Sequence, residues 1–328
     1  MSLFNISLTT ALRRMVLVAV LAGAAVSCSN LDDRGFALSD DAITLSSFAL
    51  PCTKGYVTGT AMEESPSQPR TLWLTAWYHR ADGFEEEYFR GQAFAVKGDG
   101  LWHRDPVVFW PLGGQLDFTA YSAGEPFSEA QVNWDRGVTT DRLALTVDRA
   151  RTQDDILFGF VPARTLLGGS TVSMTFKHSQ AWLEFRVRAK DAASAGVVTL
   201  HEMYVKDIYT TGELSVIHPF GLAEGQWSFR FDRREDTVVD DVNGVYGSTL
   251  QVQPVVLDWL LPEQKMKNFV MRYSLAGGDM VMELEFTLPD SHWRMGRKYV
   301  YDIIVSPRQI EILPSVLDWD AVPETYNI

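Results

Sequence analysis

Cys28 is the residue whose type and position most clearly indicate chemistry. It follows residues 13–26, which run from two arginines through an apolar stretch, and the small residue Ser27. Positive charge, an apolar run too short to span a bilayer and a small residue are the parts of a secretory signal peptide. Because Ala25–Cys28 has the form of a lipobox, the sequence predicts cleavage before Cys28 and acylation of its thiol. An ordinary cleaved signal with an incidental cysteine is the alternative.

The remaining polar residues form no pattern typical of a catalytic or metal-binding site. Six histidines are scattered along the chain, and His201-Glu202 is not followed by the second histidine of a zinc-protease motif. Neither a Gly-x-Ser-x-Gly motif nor a glycine-rich phosphate loop occurs in the sequence. His178, at the end of a predicted strand, is interpreted as structural. We therefore predict a protein that is not an enzyme and has no cofactor and no metal centre.

Two groups of residues allow a ligand but also a structural interpretation. The segment Asp236–Asn243 carries several of the oxygen ligands that calcium prefers, but its spacing matches no EF-hand, so an acidic turn is the alternative. Trp73 and Trp77 offer stacking surfaces for sugar rings. They alternate with other residues inside a predicted strand, however, and aromatic side chains are commonly part of a core.

Charge and cysteine content narrow the class of protein. The formal net charge is −13 at pH 7, whereas proteins that bind nucleic acid need a basic surface, so no nucleic-acid partner is expected. Cys52 is the second of two cysteines, and acylation of Cys28 leaves it without a partner for an intrachain disulfide. Beyond the leader, no apolar run in the sequence is long enough to cross a membrane.

Short stretches of alternating apolar and polar residues predict an all-β protein. A period of two with one apolar face is typical of half-buried antiparallel strands. Within the predicted strand at residues 181–188, Leu183, Phe185 and Val187 share a face expected to point inward, and Glu184 lies on the opposite face. The predicted strands are Thr71–Tyr78, Gln115–Tyr121, Val172–Phe176, Ala181–Arg188, Gln226–Phe231, Asn268–Ser274, Met280–Thr287 and Tyr299–Val305.

A turn-rich segment at residues 163–169 separates two sets of these strands. Turns of this kind are typical of the boundary between two β-sandwich domains. The predicted division of the chain is a signal peptide over residues 1–27, a lipidated linker over 28–42, an N-terminal β-sandwich domain over 43–166 and a C-terminal β-sandwich domain over 167–328.

Seven short segments together resemble the fimbrillins, which are pilus-subunit and adhesin lipoproteins of Bacteroidales. Each segment is weak by itself, but their order along nearly the whole mature chain makes the resemblance specific. The segments are Phe109–Pro111, Gln115–Ser122, Asp154–Phe158, Val172–Val187, Thr211–Leu214, Trp293–Tyr301 and Val316–Trp319.

The resemblance implies two transthyretin-like antiparallel β-sandwich domains in tandem and assembly by strand exchange. In that family a protease removes the first strand, and a strand from another subunit pairs with the open sheet edge. Here the removable strand is Ile43–Leu50, with Ile43, Leu45, Phe48 and Leu50 as its apolar residues. The arginine that the family often carries after this strand is Lys54 here, so Lys54 and Arg70 are both candidate processing positions.

The C-terminal segment is the expected donor strand, with Val316, Leu317 and Trp319 as its apolar residues. The resemblance, together with Asp32-Asp33 after Cys28, implies an outer membrane lipoprotein at the cell surface or in a fimbrium. Its expected partners are other fimbrial subunits, the lipid of the outer membrane and a host or bacterial surface ligand. Two alternatives stay open. Both end segments are permanent strands of a monomer, or the chain is a monomeric glycan-binding surface lipoprotein.

Overall fold

The described part of the chain is built from β-strands, which confirms the expected all-β class. The computed structural model describes residues 38–49, 71–123, 126–136, 141–147, 155–217, 224–228, 234–239, 244–265, 268–278, 280–288 and 292–318. Within these residues the one helical element is a single 3-10 turn at Leu166–Gly168. The predicted strands therefore all coincide, wholly or in part, with observed ones.

The strands are numbered in chain order. Those before the 3-10 turn are β1 (Leu38–Ala42), β2 (Thr44–Ala49), β3 (Thr71–His79), β4 (Glu85–Val96), β5 (Trp102–His103), β6 (Phe109–Pro111), β7 (Gln115–Ala123), β8 (Val132–Arg136), β9 (Asp141–Val147) and β10 (Leu157–Arg164). Those after it are β11 (Thr171–His178), β12 (Gln180–Ala189), β13 (Val198–Ile208), β14 (Gly212–Ile217), β15 (Glu224–Ser228), β16 (Glu235–Val238), β17 (Val255–Pro262), β18 (Gln264–Lys265), β19 (Asn268–Leu275), β20 (Met282–Phe286), β21 (His292–Trp293), β22 (Arg297–Ser306) and β23 (Gln309–Asp318).

Seven strands close into a barrel in the order β10-β11-β2-β5-β4-β3-β7, with β7 and β10 as neighbours. The alternation in β3 sets its orientation, because successive side chains of a strand point to opposite faces. Leu72 and Leu74 are fully buried in the barrel core. Trp73 between them packs instead against a separate cluster outside the barrel.

A four-stranded sheet in the order β15-β14-β9-β8 covers part of the barrel's outer face. Tyr121 of β7 and Phe158 of β10 belong to one hydrophobic cluster with Leu143 of β9 and Leu214 of β14. All four side chains are buried, so this sheet forms a second layer on the barrel. Two further strands, β1 and β6, pair as a separate ladder.

A β-sandwich follows, made of the sheets β17-β12-β22-β23 and β16-β13-β19-β20. Leu183, Phe185 and Val187 of β12 are fully buried in its core, which confirms the predicted inward face. Phe269 of β19, from the facing sheet, stacks on Phe185 with ring centroids 5.3 Å apart. Interdigitating residues of this kind from two inner faces are typical of a sandwich core.

Two ladders depart from the expectation of purely antiparallel sheets. β2 pairs with β11 in parallel, and β12 pairs with β22 in parallel. Strands joined by a tight hairpin have to be antiparallel, whereas parallel neighbours need a long connection. In both ladders the partners lie far apart in sequence, which leaves a connection long enough for the chain to return in the same direction. Local alternation carries no information on that choice.

Strands from both expected domain ranges share sheets. β11, at residues 171–178, lies in the barrel between β10 and β2, although the sequence-based limits assign it to the C-terminal domain. The second layer likewise combines β8 and β9 with β14 and β15. The limits at residues 43–166 and 167–328 stay a prediction.

The barrel passes into the sandwich through a buried polar junction. β11 and β12 are separated by Ser179 alone, and both neighbouring residues, His178 and Gln180, are buried. The Nδ1 atom of His178 lies 2.9 Å from Oδ1 of Asp155, which is also buried. This contact is consistent with the structural interpretation of His178, which stays a prediction.

Candidate functional site

The N-terminal strand β2 is held unequally on its two sides. Towards β11 it forms a parallel ladder of six residue pairs, from Thr44 with Thr171 to Ala49 with Phe176. Towards β5, among the described residues, a single pair joins Leu45 to Trp102. The barrel is therefore closed firmly on one side of β2 and by one short contact on the other.

The side chains of this segment alternate between the barrel core and the opposite face of the strand. Ile43 and Leu45 are buried in the barrel core. On the other face the hydroxyl groups of Thr44 and Thr171 lie 2.9 Å apart, and those of Ser46 and Ser173 lie 3.0 Å apart. Apolar residues thus fill the core while hydroxyl pairs cross the ladder to β11, which suits a strand placed over a groove.

The start of the segment is fixed by backbone contacts. The N–H of Ile43 donates to the carbonyl of Val108 at 2.8 Å, and the indole N–H of Trp110 donates to the carbonyl of Ser170 at 2.9 Å. Trp110 belongs to the barrel core, and its ring meets Phe118 edge-on. These contacts place the N-terminus of β2 beside β6 and the turn before β11.

Of the other residues that the sequence singled out in the N-terminal region, the structure describes Phe48 alone, and only its backbone pairing. The backbone of Phe48 pairs with Thr175 in the ladder to β11. Cys28, Leu50, Lys54 and Arg70 lie outside the described residues. Their roles in lipidation and processing stay predictions.

The expected donor segment is an edge strand of the sandwich. β23 pairs with β22 in an antiparallel ladder that runs from Arg297 with Asp318 to Ser306 with Gln309. Val316 and Leu317 are 44% and 41% exposed although both are apolar. Trp319 lies outside the described residues. The structure therefore places the last described residues of the donor segment at an open sheet edge with apolar side chains in solvent.

Of the side chains proposed as calcium ligands in the segment Asp236–Asn243, the structure describes that of Asp236. Asp236 is exposed, and one of its carboxylate oxygens accepts a hydrogen bond from the backbone N–H of Asp207 at 3.2 Å. Residues 240–243 lie outside the described ranges. Within the part of the chain that the structure describes, no group of three or more His, Cys, Asp or Glu side chains has a geometry suited to a metal ion.

Sequence reasoning missed the strand that holds β2. Alternation in Val172–Phe176 identifies a strand, but nothing in the sequence shows that its neighbour is β2 or that the two run in parallel. The matching hydroxyl residues, Thr44 and Ser46 in one strand and Thr171 and Ser173 in the other, are the one signal that was available. Among the described residues no helix has the length and apolar character needed to span a membrane.

Known proteins resemble this chain in sequence pattern and in fold. The sequence profile described as fimbrillin-like matches residues 60–319. No curated protein sequence matches the chain. A fimbrial protein of Bacteroides vulgatus has a similar structure, with a TM-score of 0.55, 12% sequence identity and coverage of 85% of this chain and 100% of the other.

Two proposed cell adhesion proteins also have a similar structure. For the one from Bacteroides uniformis the TM-score is 0.54 at 14% identity, and 85% of this chain and 98% of the other are covered. For the one from Bacteroides ovatus the TM-score is 0.53 at 14% identity, with 88% and 100% covered. At these identities the likeness is one of fold.

Proposed function

We propose that this chain, which belongs to the fimbrillin-like family, is a surface-displayed fimbrial subunit or adhesin that assembles by exchange of its N-terminal strand. The family and the fimbrial and adhesion proteins of similar fold support a structural, non-enzymatic role at the cell surface. The observation that carries the proposal is the unequal pairing of β2, which has a full ladder to β11 and one residue pair to β5.

Removal of β2 would leave a groove that only another apolar strand can fill. Ile43 and Leu45 are buried against residues that include Val172 and Met174 in the barrel core. Their loss would expose this core to water and leave the edge of β11 unpaired, which favours addition of a foreign strand. β2 pairs with this edge in parallel, but the backbone groups of an open edge can pair with an incoming strand in either direction.

The C-terminal segment has the side-chain spacing that such a groove requires. Ile43 and Leu45 are two residues apart and fill one face, and Leu317 and Trp319 have the same spacing in sequence. Leu317 is already exposed at the edge of the sandwich. To act as a donor, the end of β23 has to separate from Lys298 and its neighbour Arg297, its partners in β22.

Controlled proteolysis tests strand exchange. We expect trypsin treatment of the mature chain, residues 28–328 with Cys28→Ser, to cut at Lys54 or Arg70 and to yield higher-order oligomers in size-exclusion chromatography with light scattering. Mass spectrometry identifies the cut. The variant Lys54→Gln/Arg70→Gln should stay uncut between residues 50 and 71 and monomeric. Deletion of residues 316–328 should abolish the oligomers without preventing the cut.

A peptide of residues 43–50 provides a second test. If it occupies the vacated groove, its addition in excess should suppress oligomer formation by the cleaved protein, whereas a scrambled peptide should have no effect. A cleaved protein that remains monomeric at high concentration contradicts strand exchange and favours two permanent strands in a monomer.

The lipid anchor is tested at its acceptor residue. Cys28→Ser should release the protein from the membrane fraction or leave it with its signal peptide, because the thiol that carries the acyl chains is gone and stable anchoring needs more than one chain. Cys52→Ser is the matched control and should leave the protein membrane-bound. Detergent phase partitioning and mass spectrometry of the N-terminus measure the outcome, and normal processing with unchanged membrane retention of Cys28→Ser would contradict it.

A further inference from the structure

A cleft of about 490 Å³ lies where the second layer meets the outer face of the barrel. Trp73 of β3 and Tyr121 of β7 line it from the barrel, and Trp134 of β8 lines it from the four-stranded sheet. Its volume falls within the roughly 300–1,000 Å³ typical of small-molecule sites. The residues of β2 and β23 do not line this cleft, so it is separate from the proposed strand-exchange site.

Aromatic rings form one wall of the cleft. Trp73 stacks on Tyr121 with ring centroids 5.3 Å apart and planes inclined by 8°. The ring of Trp134 lies 5.9 Å from that of Tyr121, and Phe127 meets Tyr121 edge-on at 5.5 Å. Tyr121 and Phe127 are buried, whereas Trp73 and Trp134 are partly exposed. The two indoles are therefore the flat surfaces that a ligand would meet.

The backbone around the cleft brings Trp134 close to the barrel. Gly91 has a φ of +54°, and a Cβ at this position would lie 3.2 Å from Nε1 of Trp134. The backbone N–H of Gly91 donates to Oγ1 of Thr75 at 2.8 Å, which fixes this approach. Trp73 and Tyr121 are paired residues of adjacent strands, so their stacking is also set by the sheet.

Polar groups surround the aromatic wall. Arg90, Glu129 and Asn133 are exposed lining residues. A guanidinium, a carboxylate and a carboxamide are planar groups that bond to two neighbouring hydroxyls at once. The guanidinium of Arg90 already lies 2.7 Å from the carboxylate of Glu87, which balances its charge. The cleft thus offers both hydrogen-bond donors and hydrogen-bond acceptors, and neither positive nor negative charge dominates in it.

We propose that this cleft binds a neutral pyranose ring of a surface glycan. A sugar ring combines an apolar face of C–H groups, which packs on an indole, with a rim of hydroxyls that need both donors and acceptors. Trp134 and Trp73 offer flat surfaces on which the C–H face can pack. Arg90, Glu129 and Asn133 offer donors and acceptors for the hydroxyls. A charged ligand fits less well because Glu87 pairs with Arg90 and the carboxylate of Glu129 also lines the cleft. The proposal goes beyond assembly and holds for an uncut monomer.

Glycan binding is measured on the uncut mature chain, residues 28–328 with Cys28→Ser. The probes are the methyl glycosides of glucose, galactose, mannose and N-acetylglucosamine, followed by neutral disaccharides, with saturation-transfer NMR and isothermal titration calorimetry as readouts. We expect binding of at least one probe with transfer to its ring C–H protons. Trp134→Ala should weaken this binding at least tenfold, whereas Trp77→Ala, a tryptophan of the same barrel outside the cleft, should leave it unchanged.

A second variant separates ligand contact from folding. Asn133→Ala removes an exposed rim group, so it should weaken binding several-fold at an unchanged melting temperature. Gly91→Leu should weaken binding by displacing Trp134. The proposal is overturned if no neutral probe binds at concentrations up to about 10 mM, which corresponds to a binding free energy of only a few kcal/mol. It is also overturned if binding survives Trp134→Ala or if only charged glycans or peptides bind.

Discussion

Replacing Glu184 by Gln should lower the free energy of unfolding by about 3–5 kcal/mol, the range expected when one partner of a buried ion pair is removed. One carboxylate oxygen of Glu184 lies 2.6 Å from Nζ of Lys298, and the other lies 2.5 Å from Nε of Arg186. Glu184 and Lys298 are both buried. The substitution leaves the ammonium group of Lys298 buried with no anion at this contact. Urea denaturation measures the loss.

The same pair predicts a dependence of stability on pH. Burial by itself raises the pKa of Glu184, but the nearby charges and hydrogen bonds of Lys298 and Arg186 outweigh it, so the pKa lies below its ordinary value. A carboxyl group whose pKa is lower in the folded state contributes stability above its unfolded pKa, and this contribution is lost as the pH falls through the folded pKa. Stability should therefore decline on acidification below about pH 4.5, and Glu184→Gln should remove that part of the decline.

Two variants control this experiment. Glu202→Gln removes a carboxylate that lies 3.1 Å from Arg272 at the surface, and it should cost less than about 1 kcal/mol because exposed ion pairs contribute little. Lys298→Met combined with Glu184→Gln removes the buried cation as well, so it should regain part of the lost stability. A single Glu184→Gln variant that unfolds like the wild type would contradict the expected cost of breaking this ion pair.

The burial of Glu184 marks the limit of what alternation predicts. The pattern of β12 correctly placed Leu183, Phe185 and Val187 inward, because a period of two is a local property of the strand. It placed Glu184 on the opposite face, where this residue pairs with Arg186. It gave no sign that Glu184 is buried there with Lys298. That partner belongs to β22, and its position depends on a parallel register that no local pattern specifies.

In both proposed sites, features of a single strand could be predicted from the sequence, whereas contacts between strands far apart in the chain could not. Ile43 and Leu45 are apolar at the spacing of a strand, so an inward-facing segment was predictable from the sequence. The strand that holds them and the weak contact to Trp102 were not. For the cleft, the sequence identified Trp73 as a possible stacking surface but favoured its placement in a hydrophobic core. The second wall of the cleft comes from Trp134, which is distant in sequence and reaches the barrel because Gly91 leaves room.

Phe185→Ala should destabilise the sandwich by about 3–5 kcal/mol, the cost of deleting a buried phenylalanine. Phe185 is fully buried between Phe269 and Tyr301, with ring centroids 5.3 Å and 5.5 Å away and planes inclined by 15° and 20°. Stacked pairs add about 0.5–1.5 kcal/mol beyond the buried area, which places the expected loss at the upper end of the range. Phe185→Leu should cost less because it keeps most of the volume.

The position of this loss also tests the proposed division into two domains. If the barrel and the sandwich unfold separately, calorimetry of the mature chain shows two transitions, and Phe185→Ala lowers only one of them. Phe118→Ala in the barrel core, where Phe118 is fully buried and meets Trp110 edge-on, should lower the other. Phe84→Ala is the surface control, since Phe84 is 57% exposed, and it should cost less than about 0.5 kcal/mol. Because β11 joins the barrel directly to β12 across the buried Asp155–His178 contact, one shared transition for all variants would show instead that both parts fold as a single cooperative unit.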